Sequence, residues 1–301
     1  MDKNDYLNLL TELYQNNLLD KRTIQLPNYI VNQFSSEVFF SNYKCYKIQK
    51  QSEIFVLKIT NNTEFQILTI LNNHNFSSPK LLQVLDNYTT GEVAIFMSFI
   101  EGKEVANSKN KADWTKVAQT IGEFQLLMTN TKLSINYDES SYRNYTNKYN
   151  VLSINSELSI KHIDVINLIK ERVKVCPKVI SHGDSFPTNF LVNNDHITMV
   201  DFATCLLLPY YHDIARLTST PLLDGTDLIC PYVDEVIEAY YDVVGIKFNL
   251  SYDDFIKDIY IGSFIELFFY CINEYDKKSK FYIYSNQLLE KYSKLILKND
   301  D

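Results

Sequence analysis

The chain has 301 residues, of which 46% are apolar and 22% are charged, a balance typical of a folded globular protein and unlike that of disordered or fibrous chains. Its formal net charge of −8 argues against a nucleic-acid-binding surface, which needs clustered Lys and Arg, and weakly favours cationic small molecules as ligands. The five cysteines are widely spaced and form no C-x-x-C pair, so they indicate neither a disulfide framework nor a zinc site and fit a reducing cytoplasm.

The first hundred residues combine helical and β-forming patterns. The N-terminus is acidic and lacks the apolar stretch of a signal peptide, and the pattern from Leu7 to Leu19 predicts a helix. Asn61 and Asn62 are cap candidates for a short helix over 63–71. Runs rich in β-branched and aromatic residues cover 43–48, 54–59, 80–86 and 92–99. After the N-terminal helical stretch, these patterns predict a small antiparallel sheet with one helix.

Helical periodicity takes over beyond Gly102. Apolar side chains recur at helical spacing from Trp114 to Met128. The segment 259–272 is the most apolar of the chain, but it is shorter than a membrane span and contains a glutamate, so it predicts a buried helix and no membrane segment. Further helical patterns cover 233–244, 252–272 and 282–297.

This change of pattern divides the chain into two predicted lobes. Residues 1–100 form a sheet-containing lobe, and residues 101–301 form a larger, mainly helical lobe. Two short strand-like runs, 190–192 and 197–201, interrupt the helices of the second lobe. The predicted fold class is therefore α+β, with two lobes.

Polar residues with complementary chemistry lie around these two runs. Asp184 follows His182 and Gly183 in a tight loop, and Asn189 begins a strand five residues later. Asp201 ends the returning strand, so the hairpin brings the three side chains to one end. Phosphoryl transfer needs a base that orients and deprotonates a hydroxyl, together with hard oxygen ligands for Mg²⁺. We therefore expect Asp184 to be the base and Asn189 and Asp201 to be the metal ligands.

Each of these residues has a simpler interpretation when it is taken alone. Asp184 would be an ordinary turn residue, Asn189 a strand cap and Asp201 a strand terminator, so the combination carries the functional interpretation. His182 is a candidate general base, but in such a loop we expect it to hydrogen-bond backbone groups and to shape the turn. The other histidines have no metal-ligand spacing, which leaves a metal hydrolase without support.

The sequence from His182 to Asn189, with the later Asp201, resembles the catalytic and metal-binding segments of the aminoglycoside phosphotransferase and choline kinase family, a branch of the protein-kinase-like fold. The resemblance extends over residues 30–290 and implies a two-lobed kinase-like fold, with ATP and Mg²⁺ as cofactors. It implies Asp184 as the base, and Asn189 with Asp201 as the Mg²⁺ ligands. Asp213, in an Asp-Ile-Ala segment, would brace the catalytic loop.

The same resemblance implies which residues bind the nucleotide. Lys58 resembles the lysine that contacts the α- and β-phosphates, and Glu64 resembles its ion-pair partner. Main-chain groups at 99–100 resemble the hinge that hydrogen-bonds adenine. The phosphate-covering loop reads Phe39-Phe40-Ser41-Asn42 and contains no glycine, which makes its two polar residues the candidates for phosphate contact. The implied nucleotide-binding residues are Ser41, Asn42, Lys58, Glu64, Phe99 and Ile100.

The acceptor is expected to be a hydroxyl of a small molecule, such as an amino sugar, an aminoglycoside or another cationic metabolite. Candidate carboxylates for such a cation are Asp224, Asp227, Glu266 and Glu274. Each of them, taken singly, also fits a solvated charged face. A choline or ethanolamine kinase that uses an aromatic cage stays open, because the chain has 22 tyrosines.

Two further alternatives belong to other classes. The glycine-free loop motivates a catalytically silent, nucleotide-binding, kinase-like protein. A protein kinase has less support, because no Ala-Pro-Glu-like end of an activation segment lies between Asp201 and Asp213.

Overall fold

The computed structural model of the chain describes residues 2–15, 23–33, 44–89, 92–131, 150–153, 156–274 and 276–298. Its helices are α1 (Lys3–Gln15), α2 (Asn62–Asn73), α3 (Lys111–Asn130), α4 (Glu157–Lys161), α5 (Ile163–Val175), α6 (His212–Ser219), α7 (Val233–Val244), α8 (Tyr252–Asn273) and α9 (Lys280–Lys298). Its strands are β1 (Thr23–Leu26), β2 (Tyr29–Gln33), β3 (Lys44–Lys50), β4 (Glu53–Thr60), β5 (Leu81–Thr89), β6 (Glu92–Ser98), β7 (Lys103–Glu104), β8 (Lys178–Ser181), β9 (Phe190–Asn193), β10 (His196–Met199) and β11 (Leu206–Pro209). The predicted phosphate-contact residues Ser41 and Asn42 lie outside the described residues, as does the part of the first predicted helix beyond Gln15.

The chain falls into two compact units. The first comprises Met1–Glu101 together with Thr198–Ala203, and the second comprises Gly102–Ile197 together with Thr204–Asp301. The segment that carries Asp201 thus belongs with the N-terminal unit, although about a hundred residues of the other unit precede it in the sequence. Antiparallel sheets combined with helices confirm the predicted α+β class.

A six-stranded antiparallel sheet, in the order β1-β2-β3-β4-β6-β5, forms the centre of the first unit. Helix α1 covers one face of this sheet. Successive side chains of a strand point to opposite faces, so Leu57 and Ile59 of β4 join the core under α1 whereas Lys58 points to the other face. The residues that α1 contributes to this core are Tyr6, Leu9, Leu10 and Leu13.

Helices α3 and α8 form much of the interior of the second unit. The predicted helix around Trp114 is confirmed as α3. The apolar residues that define its helical spacing are all buried: Trp114, Val117, Ala118, Ile121, Phe124 and Met128. Helix α8 contains the apolar segment 259–272, which is a largely buried helix, as predicted. It packs against α6 and α9. None of the helices in the described ranges combines the length and the apolar character that crossing a membrane would require.

Short sheets complete the second unit. Strands β7 and β9 pair antiparallel, as do β8 and β11. The strand-like run predicted over 197–201 is β10, but this strand ends at Met199, so the prediction that Asp201 ends a strand is wrong by two residues. Asp201 instead has a φ of 65°, in the left-handed region that ends regular strand geometry and that Asp tolerates better than most residues.

We expect the contact between α1 and the sheet to contribute substantially to stability. Leu10 is fully buried in this contact, whereas Leu7 on the same helix is 40% exposed. Replacing Leu10 by Ala should lower the free energy of unfolding by about 2–5 kcal/mol, because it leaves a cavity. Replacing Leu7 by Ala should change it by less than about 0.5 kcal/mol. Urea unfolding followed by circular dichroism measures both values, and equal losses would contradict the packing of α1.

Candidate active site

A buried lysine lies between two carboxylates in the first unit. The Nζ atom of Lys58 is 2.9 Å from Oε1 and 2.7 Å from Oε2 of Glu64, and 2.6 Å from Oδ1 of Asp201. The side chain of Glu64 is 1% exposed and that of Asp201 is 40% exposed. Burial by itself lowers the pKa of Lys58, but attraction to Asp201 and Glu64 outweighs it and raises this pKa above its usual value. Lys58 is therefore a fixed positive charge.

Glu64 is held from several sides. Its main-chain N–H donates to the side chain of Asn61 at 3.0 Å, which confirms Asn61 as the cap of α2. Its carboxylate accepts hydrogen bonds from the hydroxyl of Thr60 at 2.6 Å and from the N–H of Phe202 at 3.2 Å. The Nδ2 atom of Asn61 in turn donates to the carbonyl of Ala203 at 2.9 Å. The start of α2 thus fixes both the lysine's partner and the segment that carries the second carboxylate.

The candidate metal ligands provide oxygen atoms of the kind that Mg²⁺ prefers. Asp201 provides a partly exposed carboxylate. Asn189 donates through Nδ2 to the carbonyl of Asp184 at 2.8 Å, which orients the amide and leaves its oxygen for a different partner. No group of three or more His, Cys, Asp or Glu side chains in the described ranges could hold a metal ion by itself. Mg²⁺ usually takes only one or two protein carboxylates, with phosphate oxygens and water as its other ligands. The roles of Asp201 and Asn189 as metal ligands stay a prediction.

In the second unit, a buried carboxylate supports the predicted catalytic loop. Asp213 is fully buried at the start of α6. It accepts hydrogen bonds from the main-chain N–H groups of His182 at 2.8 Å and Gly183 at 3.0 Å, and from Nε2 of Gln125 at 3.1 Å. Gly183 has a φ of 81°, which a residue with a side chain rarely adopts. Asp213 therefore contacts the loop in the way that a bracing role requires.

Asp184 is fixed at the tip of this loop. Its main-chain N–H donates to Nδ1 of His182 at 3.3 Å, so the buried histidine ring contacts the loop backbone. Its Oδ1 accepts hydrogen bonds from Nε of Arg216 at 2.9 Å and from Nη2 at 2.5 Å. The side chain of Asp184 is 33% exposed. A carboxylate that is held in this way and still reaches solvent can accept a proton from a bound hydroxyl.

Sequence reasoning did not identify Arg216 as a site residue. Arg216 directly follows the Asp-Ile-Ala segment, in which only Asp213 was expected to have a role. A signal was nevertheless present, because residues three apart on a helix lie on neighbouring positions of the same surface. The expected contact of Asp213 with the loop places Arg216 on the side of the helix that faces the loop, but it does not identify the side chain that Arg216 contacts.

The four candidate acceptor carboxylates lie in different environments. Glu266 is 1% exposed on α8, and its Oε2 lies 3.2 Å from Nη1 of Arg216. Asp224 and Asp227 are exposed and Glu274 is partly exposed. All three accept hydrogen bonds from main-chain N–H groups near them in the sequence: Asp224 from Thr226, Asp227 from Leu228 and Glu274 from Asp276. Their role in binding an acceptor stays a prediction.

The predicted hinge directly follows β6. Phe99 and Ile100 are both partly exposed, and Nζ of Lys47 lies 4.1 Å from the centre of the Phe99 ring. Their contact with adenine also stays a prediction.

A lysine paired with carboxylates and a loop that presents an aspartate are groups of the kind that phosphoryl transfer requires. The sequence model of the phosphotransferase enzyme family matches residues 38–243, more than half of the chain. The chain belongs to this family. The resemblance drawn from the sequence and the prediction of a phosphotransferase enzyme are thereby confirmed.

Solved structures share the fold over nearly the whole chain. A choline kinase from Cryptosporidium parvum has 14% identity and a TM-score of 0.61, with 96% of this chain and 97% of that chain covered. An amicoumacin kinase in complex with AMP-PNP, Ca²⁺ and Ami has 12% identity and a TM-score of 0.63, with coverages of 99% and 96%. The GDP complex of an aminoglycoside 2′-phosphotransferase mutant has 12% identity and a TM-score of 0.57, with both chains fully covered. At these identities the likeness establishes the fold alone, and it confirms the predicted kinase-like fold. A sequence search of the curated proteins finds no match.

The bracing contact of Asp213 can be tested by a substitution of nearly equal shape. In Asp213→Asn, an amide nitrogen would face one of the main-chain or side-chain donors, and the charge would be lost. We expect the free energy of unfolding to fall by about 1.5–3 kcal/mol, the range for hydrogen bonds to a charged group. Asp242→Asn, an exposed position on α7, is the matched control and should have little effect. An equal effect of both substitutions in urea unfolding would refute the bracing contact.

Proposed function

We propose that the chain transfers the terminal phosphoryl group of ATP to a hydroxyl group of a small molecule, in the presence of Mg²⁺. The observation that carries this proposal is the buried ammonium group of Lys58 between Glu64 and Asp201. An ammonium group that is fixed by a buried glutamate is a preorganised partner for phosphate oxygens. Membership in the phosphotransferase enzyme family supports the same reaction class.

The reaction would proceed by proton transfer and in-line displacement. Asp184 accepts the proton of the acceptor hydroxyl, and the hydroxyl oxygen forms a bond to the γ-phosphorus of ATP. The bond between this phosphorus and the bridging oxygen breaks, and ADP leaves with the electron pair. Lys58 contacts the α- and β-phosphates. Asn189 and Asp201 would provide oxygen ligands for Mg²⁺, which would supply positive charge that neutralises the phosphates.

The nucleotide side includes further proposed contacts. Ser41 and Asn42 contact the phosphates, and main-chain groups of Phe99 and Ile100 contact the base. The relatives described above include an AMP-PNP complex and a GDP complex, so ATP and GTP should be compared as donors. A catalytically silent nucleotide-binding protein is the alternative that Phe39 and Phe40 favour, because phosphate-covering loops usually have glycine at such positions of the sequence.

We propose a small, amine-bearing acceptor. The carboxylates of the exposed Asp224 and Asp227 and of the partly exposed Glu274 can attract an ammonium group, as the net charge of −8 also does. The relatives include kinases of choline and of amicoumacin, which supports small molecules as the acceptor class. No nucleic-acid or membrane partner is proposed. All five cysteines are free thiols, which is compatible with the proposed cytoplasmic location.

The role of Asp184 is tested by Asp184→Ala. This substitution should lower the turnover number by about 10³-fold or more, because it removes the proton acceptor. The dissociation constant of Mg²⁺-ATP should stay nearly unchanged. Turnover is measured as ADP release in a screen of acceptors that includes amino sugars, aminoglycosides, choline, ethanolamine, homoserine and methylthioribose.

The control for this test is Asp242→Ala, which removes an exposed carboxylate from α7 and should leave turnover unchanged. Retained turnover in Asp184→Ala would refute the mechanism. Binding of Mg²⁺-ATP without turnover on any acceptor would favour the catalytically silent alternative.

The role of Lys58 is tested by Lys58→Met, because methionine is an uncharged side chain of similar length. We expect the dissociation constant of Mg²⁺-ATP to rise at least about tenfold, equivalent to about 1.4 kcal/mol. Isothermal titration calorimetry measures this constant. Lys80→Met, an exposed lysine in the same unit, is the control. Unchanged affinity in Lys58→Met would rule out the phosphate contact.

A further inference from the structure

Arg216 connects the candidate base to a second carboxylate inside the unit. Its Nε and Nη2 atoms donate to Oδ1 of Asp184. Its Nη1 atom donates to Oε2 of Glu266 at 3.2 Å and to the hydroxyl of Tyr270 at 3.3 Å. A guanidinium group is planar and its donors have fixed directions. The groups that hold one edge of Arg216 therefore determine where its other edge points.

The three charged groups differ in their exposure. The side chains of Glu266, Arg216 and Asp184 are 1%, 15% and 33% exposed, respectively. A carboxylate as deeply buried as Glu266 is costly unless it is paired and hydrogen-bonded. Because the backbone of Glu266 lies within the long helix α8, this carboxylate is an anchor that cannot easily follow a movement of the arginine.

The packing of α6 against α8 places this anchor. A Cβ atom added at Gly262 of α8 would lie 2.6 Å from Cβ of Ala215, which precedes Arg216 on α6. The two helices can approach this closely only because residue 262 has no side chain. Glu266 follows Gly262 by four residues and thus lies on the same face of α8. The close approach at Gly262 therefore brings Glu266 next to Arg216.

We propose that Glu266 is a positioning residue for the transfer reaction. It orients the guanidinium group of Arg216, which in turn fixes the carboxylate of Asp184 toward the acceptor hydroxyl. This inference rests on the proposed function, because it takes Asp184 as the base. It gives Glu266 a role different from the acceptor contact expected from the sequence, since its carboxylate is directed at the guanidinium group.

The test compares Glu266→Gln in two backgrounds. In the otherwise unchanged protein, this substitution keeps the shape and removes the charge that orients Arg216, so kcat should fall about 100-fold, as for a misplacement of a reacting group by about 1 Å. The KM for Mg²⁺-ATP should stay within about twofold, because the interaction affects the reacting groups and not nucleotide binding. ADP release is measured with an acceptor found in the screen, or with water as the acceptor where the screen finds none.

In an Arg216→Lys background, Glu266→Gln should change kcat by less than about threefold, because residues that act through one another have non-additive effects. A purely structural role of Glu266 would instead lower kcat by the same factor in both backgrounds, and that result would overturn the proposal. So would an unchanged kcat of Glu266→Gln alone. Glu171→Gln, in which the glutamate is exposed and paired with Lys174, is the control and should leave kcat unchanged.

Two further measurements keep the test decisive. If Glu266→Gln does not fold, Glu266→Asp keeps the charge but shortens its reach, and it should show the same dependence on Arg216. Crystal structures of the unchanged protein and of the folded variant provide a second measurement that does not depend on enzymatic activity. A shift of the Asp184 carboxylate by about 1 Å would support the proposal, and an unmoved carboxylate would overturn it.

Failure of this inference can be distinguished from failure of the proposed function. Turnover that survives Asp184→Ala refutes the proposed function, whatever the result for Glu266. If turnover is lost in Asp184→Ala but kcat is unchanged in Glu266→Gln, the positioning role alone is refuted.

Discussion

A carboxylate that is removed from water must be matched by hydrogen-bond donors, and Asp213 is matched by three. Two are the main-chain N–H groups of His182 and Gly183, and the third is the side chain of Gln125. Gln125 in turn accepts a hydrogen bond from the hydroxyl of Tyr240 at 2.5 Å. Because Gln125 lies on α3 and Tyr240 on α7, one buried charge connects the loop to two helices of the core. The position of every group on the loop, including the candidate base, depends on this connection.

The two units use the same arrangement of charges. In each of them, one cation lies between a carboxylate that is 1% exposed and a carboxylate that reaches solvent. Lys58 lies between Glu64 and Asp201, and the arginine of α6 lies between Glu266 and Asp184. The buried acid fixes the cation, and the cation restrains the accessible acid. In both places the accessible acid is the residue to which the proposed chemistry assigns a direct role.

Local patterns in the sequence were sufficient for much of the fold. Helical spacing predicted α3, β-forming runs predicted β3 and β4, and the cap at the start of α2 was visible in the sequence. Strands β1, β2, β8 and β11 have only four or five residues each, and unlike the equally short β9 and β10 they were not predicted from the sequence. The roles expected for Asp184 and Asn189 came from spacing within one loop. The contact of Asp184 with Arg216 spans 32 residues, and the burial of Glu266 depends on helix packing at Gly262, so neither could be derived from local patterns.

Asn61 uses both ends of its side chain. The amide oxygen caps α2, and the amide nitrogen holds the carbonyl of Ala203. Asp caps helices as well as Asn does, but its carboxylate cannot donate a hydrogen bond. Position 61 therefore distinguishes between two residues that capping preferences treat as equivalent. Replacing Asn61 by Asp would keep the cap of α2 but lose the hydrogen bond to the carbonyl of Ala203, which holds the segment that follows Asp201. A change of residue at position 61 therefore says more about the site than about the helix.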